Sequence, residues 1–264
     1  MTKFTKAHAC GNDFLIVEGK AKPALAARLC NRNTGVGADG VEFFEWRGDR
    51  SGRIRLVNAD GSVAEISGNG TRCVAAWVAY QKRLKKGDAV RLETDAGLRI
   101  CRVMKTKGRD FEFAQSMGVP TIEDKKVTLQ DRTKVAGVTV WTGNPHFVVF
   151  VENEEFRAHK RSWEELGREF CFHPDFPEQT NVEFARIVGP DCIEIRIFER
   201  GVGPTSSSGT GTCATATAAI ARRGLTSPLL VRAPGGEQRV EWDGDGEEIM
   251  LTGPAQLIAE GEAW

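Results

Sequence analysis

Apolar positions along the chain follow two rhythms. Short segments rich in β-branched and aromatic residues, many of them alternating with period two, recur in both halves. Val41-Glu42-Phe43-Phe44-Glu45-Trp46, Ile54–Val57, Val90–Thr94 and Leu98–Val103 come first, then Val138–Trp141 and Ile193–Phe198. They predict strands. Two other runs, Cys73–Ala79 and Cys213–Ile220, carry small apolar residues at nearly every position. They predict helices apolar on all sides and therefore buried, from about Asn69 to Leu84 and from near Thr210 to Arg223. Arg222-Arg223-Gly224 supplies the second with a basic last turn and a C′ glycine. Further helices are predicted at Lys22–Arg32 and Ser162–Phe170. One buried helix per half among many strands predicts an α+β fold of two pseudo-symmetric lobes. Each is a curved, mainly antiparallel sheet wrapped around its central helix.

Repetition supports this division. Ser67-Gly68-Asn69-Gly70-Thr71 returns as Ser208-Gly209-Thr210-Gly211-Thr212. Upstream of each lies a Gly-Asn turn, Gly11-Asn12-Asp13-Phe14 and Gly143-Asn144-Pro145-His146. The lobes are expected at residues 1–117 and 118–254, parted at Met117-Gly118-Val119-Pro120, with residues from about 255 to 264 returning to the first.

Composition narrows the chemistry. Lys plus Arg and Asp plus Glu are 36 each, so no global field favours nucleic acid or an anionic membrane. The N-terminal segment lacks the apolar core of a signal peptide, and no apolar run reaches the length of a membrane span. Seven scattered cysteines and four scattered histidines form no CxxC pair and no metal-ligand spacing. The expectation is a cytoplasmic protein with reduced thiols, no metal and no cofactor.

A helix N-terminus presents unpaired N–H groups and a partial positive charge, and so favours a carboxylate. Two such termini, each led by Ser-Gly-x-Gly, could hold one carboxylate from both sides. Ser67 and Ser208 would then flank the neighbouring carbon on opposite faces, as inversion of a stereocentre requires. Taken alone, each serine reads as an N-cap; the duplication favours the paired reading. A phosphate site is disfavoured, because neither copy has the Lys-Ser/Thr of a P-loop.

Seven segments then fall into a known order. They are His8–Phe14, Asn33–Gly40, Asn58–Ser62, Gly68–Cys73, Gly143–His146, Asn181-Val182 and Glu199-Arg200-Gly201-Val202-Gly203. Together they span nearly the whole chain and resemble the motifs of the diaminopimelate epimerase family. The resemblance implies cofactor-independent conversion of LL- to meso-diaminopimelate, a step toward lysine and peptidoglycan precursors, in a cleft between the lobes. It implies an α-carboxylate on Gly68-Asn69 and Gly209-Thr210, and substrate amides from Asn12, Asn58, Asn144 and Asn181. Glu199 and Arg200 would take the distal ammonium and carboxylate, and His146 and Glu199 would tune the pKa values of the acid-base pair. Alone, the asparagines read as turn residues, Glu199-Arg200 as a solvated ion pair and His146 as a structural hydrogen bonder. Gly40 stands where some relatives carry Gln. A small-molecule amino acid is the expected partner, and the resemblance leaves a homodimer open.

The chain departs from that family at its centre: Ser67 and Ser208 occupy the two catalytic cysteine positions. A hydroxyl is a far weaker acid than a thiol, and a missing acid or base typically costs ~10²–10⁴-fold. Activity on diaminopimelate should therefore be very low unless another base is present. Cys73 and Cys213 lie deeper in the helices and read as packing thiols, and Cys10 is the better outside candidate. Beside a Ser/Ser epimerase, two alternatives stand: a non-catalytic amino-acid-binding paralogue, and a relative with other chemistry such as dehydration of a hydroxy amino acid. Substitution of the cysteines to trap a substrate complex is disfavoured by the drifted context Pro204-Thr205-Ser206-Ser207.

Overall fold

A computed structural model describes every residue except Glu65. The chain divides into two compact units, Met1–Ser116 with Thr252–Trp264, and Met117–Leu251. The first contains β1 (Thr2–Ala9), β2 (Asn12–Glu18), α1 (Pro23–Cys30), β3 (Gly40–Gly48), β4 (Ser51–Asn58) and β5 (Val63–Ala64). It continues through α2 (Gly68–Gln81), β6 (Ala89–Thr94), β7 (Gly97–Lys107) and β8 (Asp110–Ser116). The second contains β9 (Thr121–Thr128), β10 (Lys134–Trp141), β11 (Pro145–Phe150), α3 (Trp163–Cys171), β12 (Asn181–Gly189), β13 (Cys192–Glu199) and β14 (Gly203–Thr205). It ends with α4 (Gly209–Arg223), β15 (Leu229–Ala233) and β16 (Gly236–Glu241), after which β17 (Met250–Ala263) returns to the first unit.

The two units repeat one topology. In the first, β1 pairs antiparallel with β2, β2 runs parallel to β3, β3 antiparallel to β4, and β4 parallel to β6. In the second, β10 to β11, β11 to β12, β12 to β13 and β13 to β15 repeat that sequence of senses. The outer strand of the motif is β17 in one unit and β9 in the other. Register is preserved as well. Phe14 pairs with Gly40 and Ile16 with Glu42, as His146 pairs with Asn181 and Val148 with Glu183.

Each sheet is buried on both faces. Phe14 and Ile16 face the core around α2, whereas Leu15 and Val17 face the core under α1. Val148 packs with α4, and Phe147 and Val149 pack with α3. This explains the unbroken apolar runs Phe14–Val17 and Phe147–Phe150, which show no period-two alternation. The central helices are buried through most of their length, from Gly68 to Ala79 in α2 and through nearly all of Gly209–Ala219 in α4. Their alanines let strands approach closely on every side: α2 touches β1, β2, β3, β6, β7 and β8, and α4 touches β10 to β13, β15 and β16. The buried Thr217 hydroxyl donates back to the Cys213 carbonyl at 3.0 Å, so its polarity is met within the helix.

Helix boundaries follow local chemistry. Ser162 caps α3 in a reciprocal capping box with Glu165, and α4 ends at Gly224 with φ of 70°, the left-handed conformation expected of a C′ glycine. Helix α2 stops at Gln81, short of the expected Leu84, because Arg83 takes a φ of 53° and the Leu84 N–H turns back to the Ala79 carbonyl.

Candidate functional site

Ser67 and Ser208 are both N-caps with extended backbone, φ of −125° and −141°. Each side-chain oxygen accepts from the N–H three residues on, Gly70 at 3.1 Å and Gly211 at 3.2 Å. A side-chain cap satisfies only one of the early helical N–H groups, so each terminus still offers donors and positive potential to an anion.

In the first unit, Asn12 and Asn69 meet: the Asn69 amide donates to Asn12 Oδ1 at 3.2 Å. The Asn12 amide donates to Asp39 at 2.7 Å, and the fully buried Arg72 guanidinium donates to Asn69 Oδ1 at 2.5 Å and to the Pro254 carbonyl at 3.3 Å. Arg72 thus fixes the Asn69 side chain from behind. Asn58 lies at the end of β4, where its amide donates to Ser62 Oγ within its own turn. Cys10 is buried in the turn between β1 and β2 with a φ of 52°, and Cys73 is fully buried in α2. Burial pushes the Cys73 thiol far above its usual range, which suits a packing role.

In the second unit, Asn144, Thr210 and Ser208 form a chain. Asn144 donates to Thr210 Oγ1 at 3.4 Å, and Thr210 and Ser208 hydroxyls lie 3.4 Å apart. Asn181 is buried, donating to the Pro145 carbonyl at 2.9 Å and accepting from the Arg200 N–H at 3.0 Å. Arg200 is exposed at the end of β13 and donates to the Glu178 carbonyl at 2.9 Å; Glu199 beside it is half-buried. His146 is buried between two partners, with Nδ1 2.8 Å from Glu183 Oε1 and Nε2 2.9 Å from Asn144 Oδ1. Because the Asn144 oxygen accepts, Nε2 carries a hydrogen. The Nδ1–Glu183 contact therefore holds one proton, on the ring or on the carboxyl group.

Sequence reasoning passed over two residues at this level. Glu42 on β3 and Glu183 on β12 are both 0% exposed. Each carboxyl group lies against the first turn of its unit's central helix, in space left open by a glycine. A Cβ at Gly211 would stand 2.5 Å from Glu183 Oε1 and 3.2 Å from Ser208 Cβ. At Gly70 it would collide with Glu42 Oε1, 3.0 Å from the carboxyl carbon and 3.3 Å from Ser67 Cβ. Both Glu42 oxygens lack a hydrogen-bond partner among the described residues, and burial raises this group from 4.5 to about 8. A sequence signal did exist, since Val41-Glu42-Phe43 recurs as Val182-Glu183-Phe184.

This duplicated arrangement has counterparts. The diaminopimelate epimerase sequence profile matches residues 4–122 and 138–258. The curated diaminopimelate epimerases of Azotobacter vinelandii and Ectopseudomonas mendocina are each 36% identical, with 99% of both chains covered. That of Pelotomaculum thermopropionicum is 34% identical over 98% of each. Among solved structures, a predicted epimerase from Pseudomonas aeruginosa aligns with a TM-score of 0.75 at 15% identity, covering all of this chain and 99% of that one. A probable proline racemase from Agrobacterium radiobacter gives 0.75 at 16%, covering all of this chain and 93% of the other. The structural likenesses carry the fold, and the sequence likeness covers 99% of the chain: the chain belongs to the diaminopimelate epimerase family.

Proposed function

We propose that this chain is a cofactor-independent amino-acid epimerase acting on diaminopimelate, with Ser67 and Ser208 at the two proton-transfer positions. The observation that carries the reading is the matched pair of capped helix starts, one per unit, each with an asparagine from the preceding Gly-Asn turn beside it. A substrate carboxylate would be bound by the helix N–H groups of Gly68-Asn69 and Gly209-Thr210, whose field also stabilises negative charge developing as the α-proton leaves. The amides of Asn12, Asn58, Asn144 and Asn181 would supply neutral donors and acceptors for a zwitterion. Glu199 and Arg200 would meet the distal ammonium and carboxylate, which sets diaminopimelate apart from a monocarboxylic amino acid. This is the chemistry of a cytoplasmic step toward lysine and peptidoglycan precursors.

Proton exchange at the α-carbon tests the reading. Incubation with LL- or meso-diaminopimelate in deuterated water should give slow α-deuteration together with the opposite configuration. Ser67→Cys with Ser208→Cys should raise that rate by roughly 10²-fold or more. A double-cysteine form that binds diaminopimelate yet exchanges nothing sinks the placement of the pair. The capping bonds held by both hydroxyls favour one rival, a binding paralogue without turnover. Tight binding with no exchange in the serine form, and rapid exchange in the cysteine form, is its signature.

A further inference from the structure

Two fully buried carboxyl groups sit in equivalent places in the two units, each between a core strand and the first turn of the helix that a serine caps. The strand register repeats around them, Glu42 opposite Ile16 and Glu183 opposite Val148. As a core residue Glu42 is costly, because a buried carboxyl without a hydrogen-bond partner is less favourable than an apolar side chain of the same volume. Neither Glu42 oxygen has such a partner among the described residues, and Glu183 Oε2 likewise has none. Glu183 has a structural partner in His146, but nothing among the described residues pairs Glu42, whose carboxyl group lies against the helix turn that Ser67 caps.

We propose that Glu42 and Glu183 are the proton-holding partners of Ser67 and Ser208, so that a hydroxyl and a buried carboxyl group together do what one thiol does in the family. This rests on the epimerase reading above. In the step, the α C–H bond breaks with its electron pair left on carbon. Its proton passes to one serine oxygen while that hydroxyl, turned from its cap position toward the carboxylate behind it, gives its own proton to that carboxylate. On the opposite face the other hydroxyl gives its proton to carbon and takes one from its own carboxyl group, or from the proton shared by Glu183 and His146. Protons and charge balance, no oxidant enters, and no free alkoxide forms. Exchange with solvent resets the two carboxyl groups. Since burial lifts Glu42 to about 8, Ser67 is the donating side at neutral pH and the accepting side above that value. Glu42 acts through Ser67 and is a positioning and proton-holding residue.

The test is α-deuterium exchange of both diaminopimelate isomers as a function of pH, in the wild type, Glu42→Gln, Glu42→Asp and the double-cysteine form. The isomer that gives its proton to Ser67 should exchange faster as pH rises through about 8. Glu42→Gln should lower exchange by roughly 10²-fold, remove that break and leave KM unchanged, and Glu42→Asp should restore part of the rate with a shifted break. Either variant yielding the wild-type rate and pH profile overturns the proposal. That outcome would leave the epimerase reading standing, whereas exchange by the double-cysteine form with none by the wild type overturns both and is the signature of the binding paralogue. No exchange by either form removes the epimerase reading and this proposal with it.

Discussion

Glu183 and His146 share one proton across 2.8 Å of buried space, and the other face of the imidazole is committed to Asn144. The register-equivalent of His146 in the first unit is Phe14. His146→Phe therefore substitutes the shape that the other unit uses, while leaving Glu183 alone in the core. It should cost about 2–3 kcal/mol in urea unfolding. Adding Glu183→Gln should recover part of the loss, with a coupling of about 1–2 kcal/mol in a double-mutant cycle. Additive losses would show that the pair is not linked.

Gly211 has no Cβ to displace that carboxylate, and alanine is intrinsically the better helix former by about 1 kcal/mol. The clash decides the sign. With a methyl group 2.5 Å from Glu183 Oε1, Gly211→Ala should be destabilising by about 1–3 kcal/mol and should break the Glu183–His146 contact. Denaturant midpoints measure the first and the His146 ring signals in NMR the second. A more stable Gly211→Ala protein would mean that the carboxyl group moves freely.

Burial raises Glu42 from 4.5 to about 8. Between those values the unfolded chain releases a proton that the folded chain keeps. Stability from this group is therefore complete below about pH 4.5 and declines as pH rises through about 8. The decline is bounded at roughly 5 kcal/mol. Glu42→Gln cannot titrate, so the stability difference between wild type and variant should fall from about pH 5 to pH 8 and then level off. A difference flat in pH would place the carboxyl group in a solvated setting.

The hydroxyls of Ser67 and Ser208 also hold their helices. Ser67→Ala and Ser208→Ala should each lose about 1 kcal/mol in thermal or urea unfolding through the missing cap. Comparing that loss with the change in exchange rate separates the cap from the proton-transfer position, since a structural role alone would leave the rate of the folded enzyme intact.

Arg200 lies exposed beside the half-buried Glu199. Arg200→Ala should weaken diaminopimelate binding about tenfold by calorimetry and leave alanine binding unchanged. Equal losses for both would remove Arg200 from the distal carboxylate.

The elements legible in the sequence were those with one dominant local signal. The serine caps, the all-round apolar helices and Gly224 fixed α2 and α4, and period-two alternation found strands such as β6. Strands β2 and β11 stayed hidden because α1 and α3 bury their second faces, which turns alternation into continuous runs. Glu42 and Glu183 were hidden for a related reason. A charged residue at an alternate strand position reads as solvent-facing, and only the glycine one turn into the facing helix shows that the position points inward. The asparagines were legible as turn residues, but the Asn12–Asn69 contact and the anchoring of Arg72 on Pro254 join residues far apart in sequence.

Strand β17 pairs with β1 across Thr2–His8, so the first strand of the chain waits for its last. On a ribosome, the second unit is an uninterrupted segment and can finish while the chain is still tethered. The first unit keeps one flank of β1 uncovered until residues 252–264 emerge. Its helix start, with Arg72 anchored on the Pro254 carbonyl, is thus among the last parts to mature. Truncated products would keep one half of the machinery and never complete the other.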